Sequence, residues 1–293
     1  MKLKKLTALL CAFGFCTFPL VACDEQLNDL HSSFSSSDSL LSDSNDLSSS
    51  EEILTPAPTP PQSPAPDSSS PAPTPPPVVE PVVETVSYAR CTGNSVNLRA
   101  GAGTSYAVLG SAEKDTMYAI TGKTGSWYKT YYRGKTAYIS ASYVSIFEIE
   151  KTDSQTEKVL QEGYKLIGVP YVYGAVRLHD GKGNLLKGFS AQKFDCSSLV
   201  QYVFYKGASK NLQVTTRTQV VQGEYVAKSK LQRGDCIYFT NADRQYKTGI
   251  ERVGHVAIYL GNDYILHTAS DYARIEKMTS HRWKYYIEAR RFL

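Results

Sequence analysis

The sequence predicts an α+β domain in the C-terminal half of the chain, a small all-β domain before it, and an N-terminal region without packed structure. From residue 151 onward, two amphipathic helical patterns precede a series of β-type runs, an order typical of α+β domains. The first helix starts at a capping-box pattern of Ser154 and Glu157. Between about residues 86 and 147 the β-type runs are short and interrupted by Gly, Asn and Ser. Before residue 85, Ser, Asp and Pro dominate, and such a composition cannot bury enough apolar surface to fold.

Residues 1–22 are typical of an export signal. Lysines near the start precede an apolar run that is too short for a comfortable membrane span. The run ends in Leu20-Val21-Ala22-Cys23, which resembles the lipobox of bacterial lipoproteins, where the cysteine is acylated. An ordinary signal peptide is the alternative. The sequence therefore predicts a lipoprotein signal peptide, lipidation at Cys23, and a protein anchored to the outer face of a bacterial membrane.

Residues 23–84 are predicted to form a disordered linker rich in Ser and Pro. Between Asp24 and Glu84 there are acidic residues but no Lys or Arg, and most of the 14 prolines lie between Pro56 and Pro81. Proline patterns of this kind favour extended polyproline II spacers. The rest of the exported chain is basic, which favours an anionic polymer such as cell wall, although solubility alone would also explain the charge. Export argues against a nucleic-acid partner.

The cysteines indicate a reactive thiol rather than a disulfide framework. Of the 6 cysteines, two lie within the signal segment and one is Cys23. Cleavage and acylation would leave Cys91, Cys196 and Cys236, an odd number. At least one free thiol in an exported protein therefore needs a reason. Cys236 lies within a predicted strand, where a small core residue is the expected role.

Cys196 is the candidate nucleophile. It lies in Phe194-Asp195-Cys196-Ser197-Ser198, where an amphipathic helix is predicted to begin. A helix N-terminus and a neighbouring imidazole both lower the pKa of a thiol from about 8.5, and unpaired helix amides can hold an oxyanion. The alternative is a buried structural cysteine.

Two histidines can supply the base and its orienting partner. His255 lies in an apolar run predicted as a strand, and His267 lies in the next run, after the turn at residues 261–263. A three-residue turn pairs Ala257 with His267 and makes His255 the diagonal neighbour of His267 on one sheet face. His255 could then act as base while His267 fixes its tautomer. A zinc site formed with Cys196 lacks close ligand pairs, so we predict no metal and no cofactor.

Residues 85–148 resemble the bacterial SH3-like domains of wall hydrolases. The resemblance rests on Val96-Asn97-Leu98-Arg99-Ala100-Gly101, on the segment from Gly125 to Thr130, and on the segment from Gly134 to Ile139. The tyrosines and Trp127 either line a sugar or peptide groove or belong to the core of the small barrel.

Residues 151–293 resemble the NlpC-type, papain-like cell-wall cysteine endopeptidases, whose nucleophile, base and orienter follow one another in the same chain order. The matching motifs are Pro170-Tyr171-Val172-Tyr173-Gly174, Phe194-Asp195-Cys196-Ser197, Thr216-Arg217-Thr218, Leu231-Gln232-Arg233-Gly234-Asp235, Gly254-His255-Val256 and Leu266-His267. The stretch from Val176 to Gln192 is longer than usual, and is either a loop bordering the cleft or an inert insertion.

The resemblance implies a papain-like fold that cuts the bond between γ-D-glutamate and the next diamino acid of peptidoglycan stem peptides, with Cys196, His255 and His267 as catalytic residues. It also implies that Tyr171, Asp195 and Ser197 hold the free amine of the first alanine of the stem. We predict that the protein is a monomer. The alternatives are a wall-binding lipoprotein with a degenerate catalytic domain, and an amidase or acyl transferase that uses the same thiol.

Overall fold

The N-terminal part of the described chain is built from strands and short turns, with one 3-10 helix at Ala141–Tyr143. The computed structural model describes residues 83–293, so the predicted signal peptide, Cys23 and most of the linker lie outside the described residues. Eight strands form two antiparallel sheets, in the orders β4-β1-β8 and β3-β2-β7-β6-β5. The strands are β1 Thr85–Cys91, β2 Val96–Arg99, β3 Val108–Ala112, β4 Met117–Ala119, β5 Gly122–Thr124, β6 Trp127–Tyr132, β7 Lys135–Ser140 and β8 Val144–Glu150. The predicted all-β domain is confirmed.

The C-terminal part packs helices on one antiparallel sheet of six strands, in the order β13-β12-β11-β10-β14-β9. The helices are α1 Ser154–Lys165, α2 Cys196–Ala208, α3 Thr216–Gln219 and α4 Ser280–Lys284. The strands are β9 Glu224–Val226, β10 Cys236–Phe239, β11 His255–Gly261, β12 Tyr264–Ala269, β13 Tyr272–Lys277 and β14 Tyr286–Arg291. The predicted α+β class is confirmed. Within residues 83–293, no helix combines the length and apolar character needed to cross a bilayer.

Helix α1 begins differently from the prediction. Its N-cap is Asp153, whose carboxylate accepts hydrogen bonds from the amides of Gln155 and Thr156, both at 2.9 Å. The predicted capping box of Ser154 and Glu157 is therefore wrong by one position. An aspartate is a strong N-cap. Because Asp153 caps the helix, the Glu157 carboxylate is not required for a capping box with Ser154, and it pairs with Arg233.

The two parts share one interior. A single cluster of buried apolar side chains runs from Tyr88 in β1 to Phe292 at the C-terminus. Its polar centre is the buried guanidinium of Arg233, which contacts Glu157 at 2.6 Å and donates to the Tyr164 hydroxyl at 2.7 Å. The Tyr164 hydroxyl in turn lies 2.6 Å from the Tyr88 hydroxyl. Because these groups come from both parts, we expect residues 83–293 to unfold cooperatively.

The all-β domain also packs against the segment that leads to Tyr171. The amide of Arg133 donates to Ile167 O at 2.8 Å. Gly168 has a φ of +85°, and a Cβ atom there would lie 2.2 Å from the ring of Tyr132. Only glycine tolerates both that backbone conformation and that approach. The all-β domain therefore supports one of the segments that carry candidate site residues.

Candidate active site

Cys196 is the first residue of α2 and is only 8% exposed. The helix start is fixed by a reciprocal capping box: the Asp195 carboxylate accepts from the Ser198 amide at 2.9 Å, and the Ser198 hydroxyl accepts from the Asp195 amide at 2.9 Å. The apolar stripe of this helix is fully buried and consists of Leu199, Val200, Val203 and Phe204, so α2 packs against α1 and the sheet. The thiol therefore lies in the first turn of a well-packed helix, at its N-terminal end.

The predicted histidine register is confirmed. Ile258 pairs with Leu266 and Tyr259 with Ile265, so the hairpin has the alignment expected from the sequence. The turn itself consists of Asn262 and Asp263, both at positive φ, with an irregularity in the pairing at Gly261. The two imidazoles meet on one sheet face, with 3.0 Å between Nε2 of His255 and Nδ1 of His267.

The thiol lies beside this hairpin. The backbone amide of Val256, the residue after His255, faces the sulfur of Cys196 and lowers the pKa of the thiol. Helix α2 packs on both β11 and β12. The side chain of His255 is half-buried. Its Nε2 atom contacts His267, so Nδ1 is the ring nitrogen that this contact does not occupy. The structure therefore places Cys196 beside the strand that carries His255, and brings His255 and His267 into direct contact.

Burial favours a neutral thiol and a neutral imidazole in the resting site. Burial, together with the Asp195 carboxylate, raises the pKa of Cys196 to about 12, although the Val256 and Ser197 amides oppose this. Burial and repulsion by His267 lower the pKa of His255 well below its usual range. The sequence predicts that the helix end and the imidazole lower the thiol pKa, but the loss of hydration on burial has the larger effect. Such a pair suits proton transfer during attack rather than a permanent thiolate–imidazolium pair.

Asp195 has more partners than the sequence suggested. Besides the Ser198 amide, its carboxylate accepts from the Ser197 hydroxyl at 3.1 Å and from the Gly174 amide at 3.2 Å. It also forms an ion pair with Arg177 at 2.8 Å. Its side chain is only 6% exposed. Tyr171 lies close to Asp195, because its backbone forms a β-bridge with Phe194, the residue before Asp195.

Arg177 is a further residue of the site, and the sequence did not predict its position there. Its guanidinium contacts Asp195 and the Ser197 hydroxyl, and also donates to the carbonyl oxygens of Val214 and Ala175 at 2.9 and 2.6 Å. It belongs to the long stretch from Val176 to Gln192, whose start therefore lies against the first turn of α2. Nothing in the sequence distinguishes this arginine from the other basic residues of the stretch.

Gln219 supports the same turn from α3. Its side-chain amide donates to Ser197 O at 3.0 Å and to Gln213 O at 2.8 Å. The residue is fully buried, and its two hydrogen bonds connect the backbone of Ser197, next to Cys196, with the backbone of Gln213. Among residues 83–293, no cluster of three or more His, Cys, Asp or Glu side chains has an arrangement that could hold a metal ion.

Comparisons with known proteins agree with this architecture. The model of the NlpC/P60 family matches residues 168–291, and that of the bacterial SH3 domain matches residues 94–145. The chain therefore carries a bacterial SH3 domain followed by an NlpC/P60 domain.

Three curated relatives are similar to this chain. The gamma-DL-glutamyl hydrolase of Bacillus subtilis is 34% identical over 51% of this chain and 32% of that protein. The peptidoglycan DL-endopeptidase CwlO of Bacillus licheniformis is 30% identical over 50% of this chain and 29% of that protein. The murein DD-endopeptidase MepS/murein LD-carboxypeptidase of Escherichia coli K12 is 36% identical over 37% of this chain and 54% of that protein. The matched region thus spans about a third of the first two relatives.

Proposed function

We propose that this protein is a cysteine endopeptidase that cuts the bond between γ-D-glutamate and the following diamino acid in peptidoglycan stem peptides. The observation that carries the proposal is the free thiol of Cys196 at the start of α2, beside the contact of His255 with His267. The names of two relatives, a gamma-DL-glutamyl hydrolase and a peptidoglycan DL-endopeptidase, support the bond and the substrate class.

In the proposed reaction, His255 accepts the proton of the Cys196 thiol through Nδ1 while the sulfur attacks the γ-carbonyl carbon of the glutamate. The amides at the N-terminus of α2 stabilise the oxyanion that forms. The imidazolium then gives its proton to the amine of the leaving diamino acid, and a water molecule hydrolyses the thioester. His267 holds the ring of His255 in orientation throughout.

Defined stem peptides test the bond that is cut. Mass spectrometry should find L-alanyl-D-glutamate, with a free γ-carboxylate, and a fragment that begins with the diamino acid. Cleavage at a D,D cross-link instead, the activity named in the MepS relative, would contradict the proposed bond. Absence of any product, together with retention of the protein on purified cell walls, would favour the alternative of a wall-binding protein.

The activity is expected to persist at acidic pH. Because burial and His267 lower the pKa of His255, its neutral and basic form is retained below the usual histidine pKa of about 6.5. A pH profile of kcat/KM should therefore show an acid limb whose midpoint lies below pH 6.5. A limb centred at or above pH 6.5 would contradict the assignment of the neutral imidazole as the base.

Tyr171, Asp195 and Ser197 are proposed to face the first alanine of the stem, with Arg177 setting the charge there. Because Arg177 already compensates the Asp195 carboxylate, the wild type should discriminate little between stems with a free and with an acetylated N-terminal amine. The Arg177→Gln variant frees that carboxylate, and should raise the preference for the free amine about tenfold in kcat/KM.

The control for this prediction is Lys187→Gln, which removes an exposed positive charge from the same stretch. Its ratio of rates for the two stem peptides should equal that of the wild type. An unchanged ratio in the Arg177→Gln variant, with activity retained, would show that Arg177 does not mask an amine site.

We also propose that the mature protein is a monomer attached to the bacterial envelope through an acylated Cys23. The support is the segment Leu20-Val21-Ala22-Cys23 after a basic and apolar start. In a bacterial host the wild type should fractionate with membranes, and its N-terminal peptide should carry the mass of an acylated cysteine. A Cys23→Ala variant that stays equally membrane-bound would contradict the anchor.

A further inference from the structure

A line of ionisable side chains continues beyond the two histidines to the next strand. His255, His267 and Glu276 come from the adjacent strands β11, β12 and β13, and all lie on one sheet face. His267 pairs with Arg274, which places Glu276 diagonally beside it. Oε1 of Glu276 lies 3.2 Å from Nε2 of His267. The side chain of His267 is 1% exposed, so its Nε2 has no access to solvent.

The charge of Glu276 determines which nitrogen of each imidazole carries the proton. An ionised carboxylate accepts only, so the nitrogen facing it is favoured as the protonated one, Nε2–H of His267. Nδ1 of His267 is then unprotonated and accepts Nε2–H of His255. This leaves Nδ1 of His255 without a proton, as a base requires. If Nε2 of His267 carried no proton, its lone pair would face the Glu276 carboxylate. If Nε2 of His255 carried no proton, its lone pair would face the lone pair on Nδ1 of His267.

We propose that Glu276 is a positioning residue that sets the tautomers of His267 and His255 and stabilises the imidazolium formed when Cys196 gives up its proton. This inference rests on the proposed function, since it assigns a role in the same proton transfer. Glu276 touches neither the thiol nor the substrate in this role. It acts through His267, along a path that crosses three neighbouring strands.

The charged groups around the pair have opposing effects. Burial disfavours the charged form of Glu276, but His267, Arg282 and Arg274 outweigh burial and lower its pKa, so the carboxylate is ionised. Arg282 of α4 forms an ion pair with Glu276. For His267, burial lowers the pKa, Glu276 raises it, and the two arginines lower it. Loss of Glu276 and loss of Arg282 should therefore move the imidazole pKa values in opposite directions.

The first test compares kinetics of full-length variants. Glu276→Gln should lower kcat about tenfold with little change in KM, and should move the acid limb of kcat/KM to lower pH. Arg282→Gln should move that limb to higher pH. Glu276→Asp, which keeps the charge, should recover part of kcat. The control is Glu288→Gln on β14, because Glu288 has the same side-chain exposure of 26% and also pairs with an arginine.

The second test observes the tautomers directly. In ¹⁵N-histidine NMR spectra of the wild type at neutral pH, both His255 and His267 should be protonated at Nε2. In Glu276→Gln, the resonances of His267 should shift toward a mixture of tautomers. Protonation of His267 at Nδ1 in the wild type would overturn the inference, as would a Glu276→Gln variant with wild-type kcat and pH profile. An inactive wild type would instead count against the proposed function, and the NMR result would still decide the tautomer.

Discussion

Replacing Cys196 by alanine is expected to abolish cleavage of stem peptides, with a loss of at least about 10⁴-fold in kcat. The alanine side chain has no group that can form the thioester, while the helix amides and the histidines remain in place. The fold should survive, because Cys196 makes few polar contacts and the capping of α2 depends on Asp195 and Ser198. Initial rates on a defined stem peptide, together with a thermal melt of the same sample, measure both effects.

The matched control for this substitution is Cys236→Ala. Cys236 is a second free and buried thiol in the same domain, in β10, and burial raises its pKa well above the usual range. Its removal should leave kcat within about threefold of the wild type, with a stability loss of about 1 kcal/mol from the lost packing. If Cys196→Ala retained wild-type activity, or if Cys236→Ala were the inactive variant, the nucleophile would be misassigned.

Replacing Arg233 by methionine is expected to destabilise the protein by about 3–5 kcal/mol. The substitution leaves the Glu157 carboxylate without its partner and removes the donors to Tyr164 and to Leu260 O. The guanidinium side chain is 4% exposed, so solvent cannot replace these contacts. Urea denaturation should show a single transition with a lower midpoint, because both domains share this network through Tyr88.

Two comparisons separate the buried network from general effects of charge. Lys151→Met breaks the exposed pair of Lys151 with Glu84, and should leave the urea midpoint close to that of the wild type. Adding Glu157→Gln to Arg233→Met should restore part of the lost stability, because no uncompensated charge then remains. An Arg233→Met variant as stable as Lys151→Met would contradict a structural role for the shared interior.

The sequence predicted the histidine pair because strand geometry is a local property. Side chains alternate with a period of two, so a short turn between His255 and His267 determines which face each occupies. The turn residues Asn262 and Asp263 tolerate a positive φ, so the position of the hairpin turn could be predicted from the sequence. The start of α2 was predictable for a similar reason, because its apolar stripe and Asp195 cap lie within a few residues of Cys196.

The residues and roles that the sequence did not predict depend on contacts between segments that are distant in the chain. Glu276 lies on β13, where charged residues at alternate positions obscure the pattern of a strand. Arg177 reaches Asp195 from a stretch without periodicity, and Arg233 finds Glu157 only after the sheet and α1 have packed. The thiol pKa was also beyond prediction from the motif, because it depends on how deeply packing buries Cys196.

The most direct test of the proposed mechanism is intact-protein mass spectrometry after rapid acid quench of the full-length protein with a defined stem peptide. We expect a transient adduct with the mass of the L-alanyl-γ-D-glutamyl group, which peptide mapping locates on Cys196. This single result identifies both the nucleophile and the bond. Product formation with an adduct on another residue, or with an acyl group of different mass, would show that Cys196 does not attack the γ-D-glutamyl bond.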